Sequence, residues 1–378
     1  MNPSVLEITS ALIRCPSVTP DDAGAQAYLA KILGDAGFDC HHLKYEDVPN
    51  LFARIGKTGP HMCFAGHTDV VPPGDPAAWT YGPFNPVVKD GFLFGRGACD
   101  MKGAVAAFAA ATLEYLKKHG PPEQGSISFL ITGDEEGPAI HGTVQVLKWM
   151  KDKKHLPDVC IVGEPTNPEF LGQEIKIGRR GSVSGKLTVL GKQGHVAYPH
   201  NADNPLPRLV KFLDALARYQ FEGGSEFFPA TNLEITTIDV GNTASNVIPA
   251  EGTAGFNIRF NDAWTSVSVE NKLREILNNM GGAYTLEMFE TNAESFITKP
   301  GEWTELVKRA VFETTGKTPQ YTTNGGTSDA RFISAYCPVI ECGGVNETAH
   351  HVDENQSIET LEGLAKIYLR ILELYFAR

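Results

Sequence analysis

A chain of 378 residues is longer than one hydrophobic core ordinarily serves, so two domains are expected. Its 33 basic and 45 acidic residues give a net charge of −12, which argues against nucleic acid or an anionic membrane surface as the main partner but leaves room for a small anion held by local arginines. No apolar run approaches the ~18 residues of a membrane span and the N-terminus has no apolar leader, so a cytoplasmic protein is expected, and seven scattered cysteines without a C-x-x-C pair read as reduced core thiols.

Residues 4–15 and 22–37 carry helical apolar spacing, the second run closing at Gly37. His61-Met62-Cys63-Phe64-Ala65 reads as a buried strand that breaks at Gly66 and delivers His67 and Asp69 to its C-terminal end, where open α/β sheets place their ligands. His67 is a candidate metal ligand and Asp69 the group that fixes its imidazole. A Pro- and Gly-rich loop follows, with Trp79, Tyr81 and Phe84 either walling a pocket or packing beneath it. Glycines 91, 95 and 97 then turn the chain into an Ala-rich helix expected over Ala104–Lys118. Asp100 lies at its entrance, as an N-cap or as a carboxylate delivered to the sheet edge. The strand Ile127–Thr132 runs into Asp134-Glu135-Glu136, three adjacent carboxylates that call for compensation. Another, Asp158–Val162, ends at Gly163-Glu164-Pro165.

From Gly181 the pattern changes to strands with one wet face. Strands at Ser182–Leu190, Thr231–Val240, Gly252–Phe260 and Ala283–Phe289, with helices at Pro205–Tyr219 and Val267–Met280, give the order β-α-β-β-α-β. The fold class expected is α/β: a catalytic α/β/α domain with a central mixed sheet over 1–180 and 293–378, interrupted by a ferredoxin-like α+β domain over 181–292. Helical spacing resumes at Trp303–Thr314, a loop at Gly325–Asp329 caps a helix starting near Ala330, and the strand Pro338–Cys342 leads to His350-His351. A last amphipathic helix is expected over Ile358–Phe376.

Four strands of the first domain thus end in, or lead to, His67, the 134–136 carboxylates, Glu164 and His350, with Asp100 nearby. Two histidines and several carboxylates on one sheet edge read as a metal site. Nitrogen and oxygen donors without thiolates suit Zn²⁺, with Co²⁺ or Mn²⁺ as alternatives, and two ions sharing one carboxylate would use five such ligands.

The motifs Gly66-His67-Thr68-Asp69-Val70-Val71-Pro72, Gly95-Arg96-Gly97-Ala98-Cys99-Asp100-Met101-Lys102-Gly103, Asp134-Glu135-Glu136-Gly137 and Gly163-Glu164-Pro165-Thr166 resemble the signatures of the di-zinc aminoacylase and carboxypeptidase family. Carried over residue by residue, the resemblance implies two Zn²⁺ per subunit, with Co²⁺ able to replace one. His67, Asp100 and Glu164 would hold one ion and Asp100, Glu136 and His350 the other. Glu135 would be the general base, and His350 is favoured over His351. It further implies a cis Asp100–Met101 peptide, and a homodimer built through the inserted domain in which His195 reaches the partner's active site as an oxyanion donor. On the residues alone, His195 is equally well a surface histidine on a turn.

Arg179 and Arg259, with Lys176 and Arg180 nearby, suit bidentate carboxylate recognition, although surface arginines are often only solvated. With Ser182, Tyr198, Asn246, Gly326, Thr327 and Asn346 they form the expected substrate contacts. The implied activity is amide hydrolysis of a dicarboxylic N-acyl amino acid such as N-succinyl-L,L-2,6-diaminopimelate, with hydrolysis of acetylornithine or a peptide as the alternative within the family. A silent binding or assembly protein of the same fold is disfavoured by the presence of Glu135 beside a full ligand set.

Overall fold

The computed structural model describes residues 2–289 and 293–377. The chain divides into two compact units. The first runs to Gly178 and includes Thr298–Thr322 and the chain from Ser328 onward; the second spans Arg179–Ile297 and Thr323–Thr327. The insertion thus begins two residues before the boundary read from the sequence and takes in a short return loop, while the expected boundary at 292 lies outside the described residues.

The first unit is built on an eight-stranded mixed sheet in the order Asp39–Tyr45, Val48–Gly56, Ser126–Thr132, His61–His67, Val159–Val162, Val339–Glu341, Glu174–Lys176, Gln320–Thr322. The four strands at its centre, from Ser126–Thr132 to Val339–Glu341, are mutually parallel, so their C-terminal ends lie on one edge. Such strands are covered on both faces and therefore read as continuous apolar runs rather than alternating ones. His61–His67 and Ser126–Thr132 are buried at every position. On one face pack the helices Val5–Ile13, Ala25–Asp35, Lys102–His119, Glu302–Thr315 and Ile358–Phe376. On the other, Trp149 of the helix Thr143–Asp152 meets Phe52, with ring centroids 5.4 Å apart.

The helix Lys102–His119 is the pivot of the core. It is buried on nearly all sides, and its alanines permit close approach of its neighbours. Its Phe108 stacks on Phe64 of the sheet at 4.5 Å and meets Phe129 and Tyr368 edge-on.

The second unit has an antiparallel sheet in the order Asn232–Asp239, Glu251–Phe260, Gly181–Leu190, Thr285–Met288. Inward residues such as Val183, Leu187, Phe256 and Ile258 alternate with wetter ones and bury Leu209, Phe212 and Leu216 of one helix and Val269, Leu273 and Leu277 of another. Sheet order and chain order together give the ferredoxin-like arrangement. Among the described residues no helix is long and apolar enough to cross a membrane.

Candidate metal centre

Four parallel strands aim their C-terminal ends at one edge, and each ends in, or leads through a loop to, an imidazole or a carboxylate. His67 closes its strand and is 1% exposed. Its Nδ1 lies 2.8 Å from the backbone carbonyl of Asp69, an arrangement that puts a proton on Nδ1 and directs Nε2 at Asp100 Oδ1, 3.3 Å away, and Glu164 Oε1, 3.7 Å away. The Asp69 contact to this imidazole is thus made by its main chain. Its carboxylate, 3.7 Å from the ring, instead accepts the backbone N–H groups of Glu135 and Glu136 at 3.3 and 3.1 Å. Burial raises Asp69 to about 6 against the opposing pull of His67.

Asp100 spans the two histidines. Its Oδ1 faces His67, and its Oδ2 lies 3.4 Å from His350 Nε2, which is in turn 2.9 Å from Glu136 Oε1. The helix that follows is capped by Met101 without a side-chain bond, so the N-cap reading of Asp100 is set aside, and the Asp100–Met101 peptide is cis. Ligand atoms of His67, Asp100 and Glu136 lie within 4.8 Å of one another, as do those of His67, Glu135 and Glu164. His350 joins this group through its ring, while the main-chain carbonyls of His350 and His351 both accept from the Arg96 guanidinium.

The three-carboxylate run is resolved by division of labour. Asp134 turns back and accepts the N–H groups of Ile140 and His141, each at 2.9 Å, leaving Glu135 and Glu136 at the centre. Burial, together with Asp329, Glu136 and Asp100, pushes Glu135 well above the carboxylate range despite His67. Burial and the neighbouring Asp100 and Glu135 do the same to Glu164. Burial works against a charged His67, yet Asp100, Asp69 and Glu164 outweigh it and raise the imidazole well above 6.5. Hydrogen bonding to Asp100 and Glu136 raises His350 to about 10. Such crowding of buried and half-buried carboxylates fits a site made for cations. His67 Nε2 and Asp100 Oδ1, both buried, lack a hydrogen-bond partner while facing each other, which is the signature of donors shaped for a third atom. The donor set of imidazole and carboxylate suits zinc.

Two glycines explain why these side chains sit where they do. A Cβ on Gly66 would meet Met101 Cε at 2.6 Å, and one on Gly163 would meet Met101 Cε at 2.7 Å and Ala104 Cβ at 2.8 Å. Bare backbone at these two strand ends lets the helix entrance carrying Asp100 settle against His67 and Glu164. Gly163→Ala is expected to cost about 1–3 kcal/mol of stability through overpacking, read as a lower midpoint in urea unfolding.

Cys99 is buried, its thiol donates to the carbonyl of Val345 at 3.0 Å, and burial with Glu354 and Asp100 pushes it well above 9, so it is an inert thiol. Trp79 packs rather than walls a pocket: its N–H donates to Pro73 O and the Arg96 guanidinium lies over its ring.

The remaining expected residues fall into other clusters. In the second unit, Arg259 faces Ser182 across two strands, and Asn257 bonds both of them. Arg179 donates to the carbonyls of Asn324 and Gly326, steadying the loop that also carries Thr327. Exposed His195 lies beside Tyr198, and the Asn246 carbonyl accepts the N–H of Val196. In the first unit, exposed Asn346 donates its backbone N–H to Asn167.

Sequence reasoning missed Glu354 and Arg96. Both are buried, and the Glu354 carboxylate accepts N–H groups from Gly97, Cys99 and Asp100 as well as the Arg96 guanidinium. An acidic residue four positions after His350 was the available signal, but nothing local marks it as buried.

Residues 63–374 match the Peptidase family M20/M25/M40. The chain is 52% identical to the succinyl-diaminopimelate desuccinylase of Methylorubrum populi, with 99% of each chain covered, and 53% identical to that of Rhodospirillum centenum, covering 100% of this chain and 98% of the relative. An M20 family metallo-carboxypeptidase from Sulfolobus solfataricus superimposes with a TM-score of 0.80 at 18% identity over all of both chains, a likeness of fold.

Proposed function

Since this chain belongs to the M20/M25/M40 peptidase family, we propose that it is a metal-dependent amidohydrolase that cleaves N-succinyl-L,L-2,6-diaminopimelate to succinate and L,L-2,6-diaminopimelate, a step of lysine and diaminopimelate biosynthesis. The acyl group follows the full-length curated relatives; the chemistry is carried by Glu135, a half-buried carboxylate whose ligand atoms lie within 4.8 Å of those of His67 and Glu164. His67, Asp100 and Glu164 would hold one divalent cation and Asp100, Glu136 and His350 a second, zinc by donor type. When bound, these ions supply the acidity that makes water a nucleophile near neutral pH and polarise the scissile carbonyl.

The chain's own groups do the rest. Glu135 takes a proton from the attacking water as the new C–O bond forms. It returns that proton to the amine as the C–N bond breaks, giving a carboxylate and an amine. Burial raises its proton affinity toward the value such a shuttle needs. Asp69 holds the main chain of Glu135 and Glu136, so the base and its neighbouring ligand keep a fixed separation. Arg259, Ser182 and Arg179, with Tyr198, Asn246, Gly326, Thr327 and Asn346, are the proposed contacts to substrate carboxylates and amide. The protein would act as a homodimer through the second unit. An exposed edge strand, Asn232–Asp239, with Ile238 59% exposed, supports that reading.

The acyl specificity is tested with the purified metal-loaded protein. We expect kcat/KM for N-succinyl-L,L-2,6-diaminopimelate to exceed that for N-acetylornithine by ~10³-fold, because a site built around carboxylate anchors leaves them unpaired with an acetyl group. A preference for acetylornithine would overturn the assigned substrate.

A further inference from the structure

The two loops that carry Asp100 and His350 are far apart in sequence and joined by one buried ion pair. Glu354 is fully buried. Its Oε1 accepts the N–H groups of Cys99 and Asp100, both at 2.9 Å, and its Oε2 accepts Gly97 N–H at 2.9 Å and Arg96 Nη1 at 2.8 Å. Arg96, 2% exposed, reaches onward from the same guanidinium to the carbonyls of His351 at 3.2 Å and His350 at 3.4 Å. One carboxylate therefore holds the main chain of Asp100, and its guanidinium partner holds the main chain of His350.

These loops need such a device. His67 ends a central strand, paired on both of that strand's sides, and its ring is fixed by the Asp69 carbonyl; Glu164 follows a buried strand by two residues. Both are set by the sheet. His350 sits on a loop, its side chain 48% exposed, with φ +64 in the left-handed region that is uncommon for a residue other than glycine.

We propose that the buried Arg96–Glu354 pair is a positioning unit that sets the separation of Asp100 and His350, so that metal affinity on the His350 side depends on it far more steeply than on the His67 side. The inference rests on the proposal that His67, Asp100, Glu136, Glu164 and His350 hold the metal. Glu354→Gln removes the charge opposite Arg96 and replaces one acceptor oxygen with a donor, leaving an unpaired buried guanidinium and an orphaned N–H in the Asp100 loop.

The test uses metal-free full-length protein titrated with Zn²⁺ by calorimetry and with Co²⁺ by its visible absorption. Wild type should show two binding events. In Glu354→Gln one event should persist within a few-fold and the other weaken by about 10–100-fold, and the weakened event should be the one that His350→Ala abolishes. A core variant remote from the centre, Leu33→Ala, should lower the unfolding midpoint and leave both events in place. If Glu354→Gln fails to fold by near-ultraviolet circular dichroism, Arg96→Lys, which keeps the charge but loses the forked reach, carries the same comparison. Both events unchanged, both weakened equally, or the same selective loss in Leu33→Ala would overturn the proposal. Wild type that binds no metal would instead overturn the reading of the centre itself.

Discussion

Glu135→Gln is expected to lower kcat by about 10⁴-fold while leaving bound metal and the unfolding midpoint unchanged or slightly raised. The two side chains are nearly isosteric, and glutamine cannot accept and return a proton. Stability should not suffer, because half-buried Glu135 is desolvated and faces Asp329, Glu136 and Asp100, each of which disfavours its charge; a neutral side chain relieves that repulsion. The measurement is steady-state kinetics alongside metal analysis of the same preparation. The pairing matters because ligand atoms of Glu135 lie within 4.8 Å of those of His67 and Glu164. A variant that loses turnover together with one equivalent of metal would make Glu135 a ligand, and a variant that keeps its activity would remove it from the mechanism.

What the sequence revealed about this centre follows from how locally each signal is written. The strand His61–His67 is a continuous apolar run ended by a glycine, and the last helix, Ile358–Phe376, has a clean amphipathic period, so both are legible without tertiary information. The strands Asp39–Tyr45 and Val48–Gly56 are not. The first lies at the sheet edge with no buried position, and the second carries Pro49, Asn50 and Arg54 among its apolar residues. The helix Thr143–Asp152 did carry a readable period in Val146, Leu147 and Met150, and was overlooked beside the acidic run that precedes it. At the candidate centre, the residues that come together were written in the motifs, but the division of labour among their atoms was not. Asp69 uses its carbonyl on the imidazole and its carboxylate on the next loop, a distinction between main chain and side chain that no residue letter encodes. Glu354 is further from view, because its partners at Gly97, Cys99 and Asp100 lie more than 250 residues earlier and become its partners only when the chain folds.

His195→Ala is expected to lower kcat by about 10²–10³-fold with little change in metal content, the loss typical of one oxyanion donor. The local geometry fits that role. His195 Nδ1 accepts the N–H of Ala197 at 3.0 Å, so a neutral ring carries its proton on Nε2 as an outward donor, and the residue is exposed rather than tied into the core of its unit. Whether that donor serves its own subunit or a partner is decided by mixing. In a dimer of one His195→Ala and one Glu135→Gln subunit, a cross-subunit histidine leaves one site with both an intact base and an intact donor. Random reassortment of equal amounts then makes half the dimers mixed and restores about one quarter of wild-type activity. A histidine acting within its own subunit leaves every site lacking one group, and mixing restores nothing. Activity that rises on mixing, with gel filtration showing a dimer throughout, would support the cross-subunit assignment. Mixtures no more active than their parents, despite demonstrated subunit exchange, would place His195 in the service of its own chain.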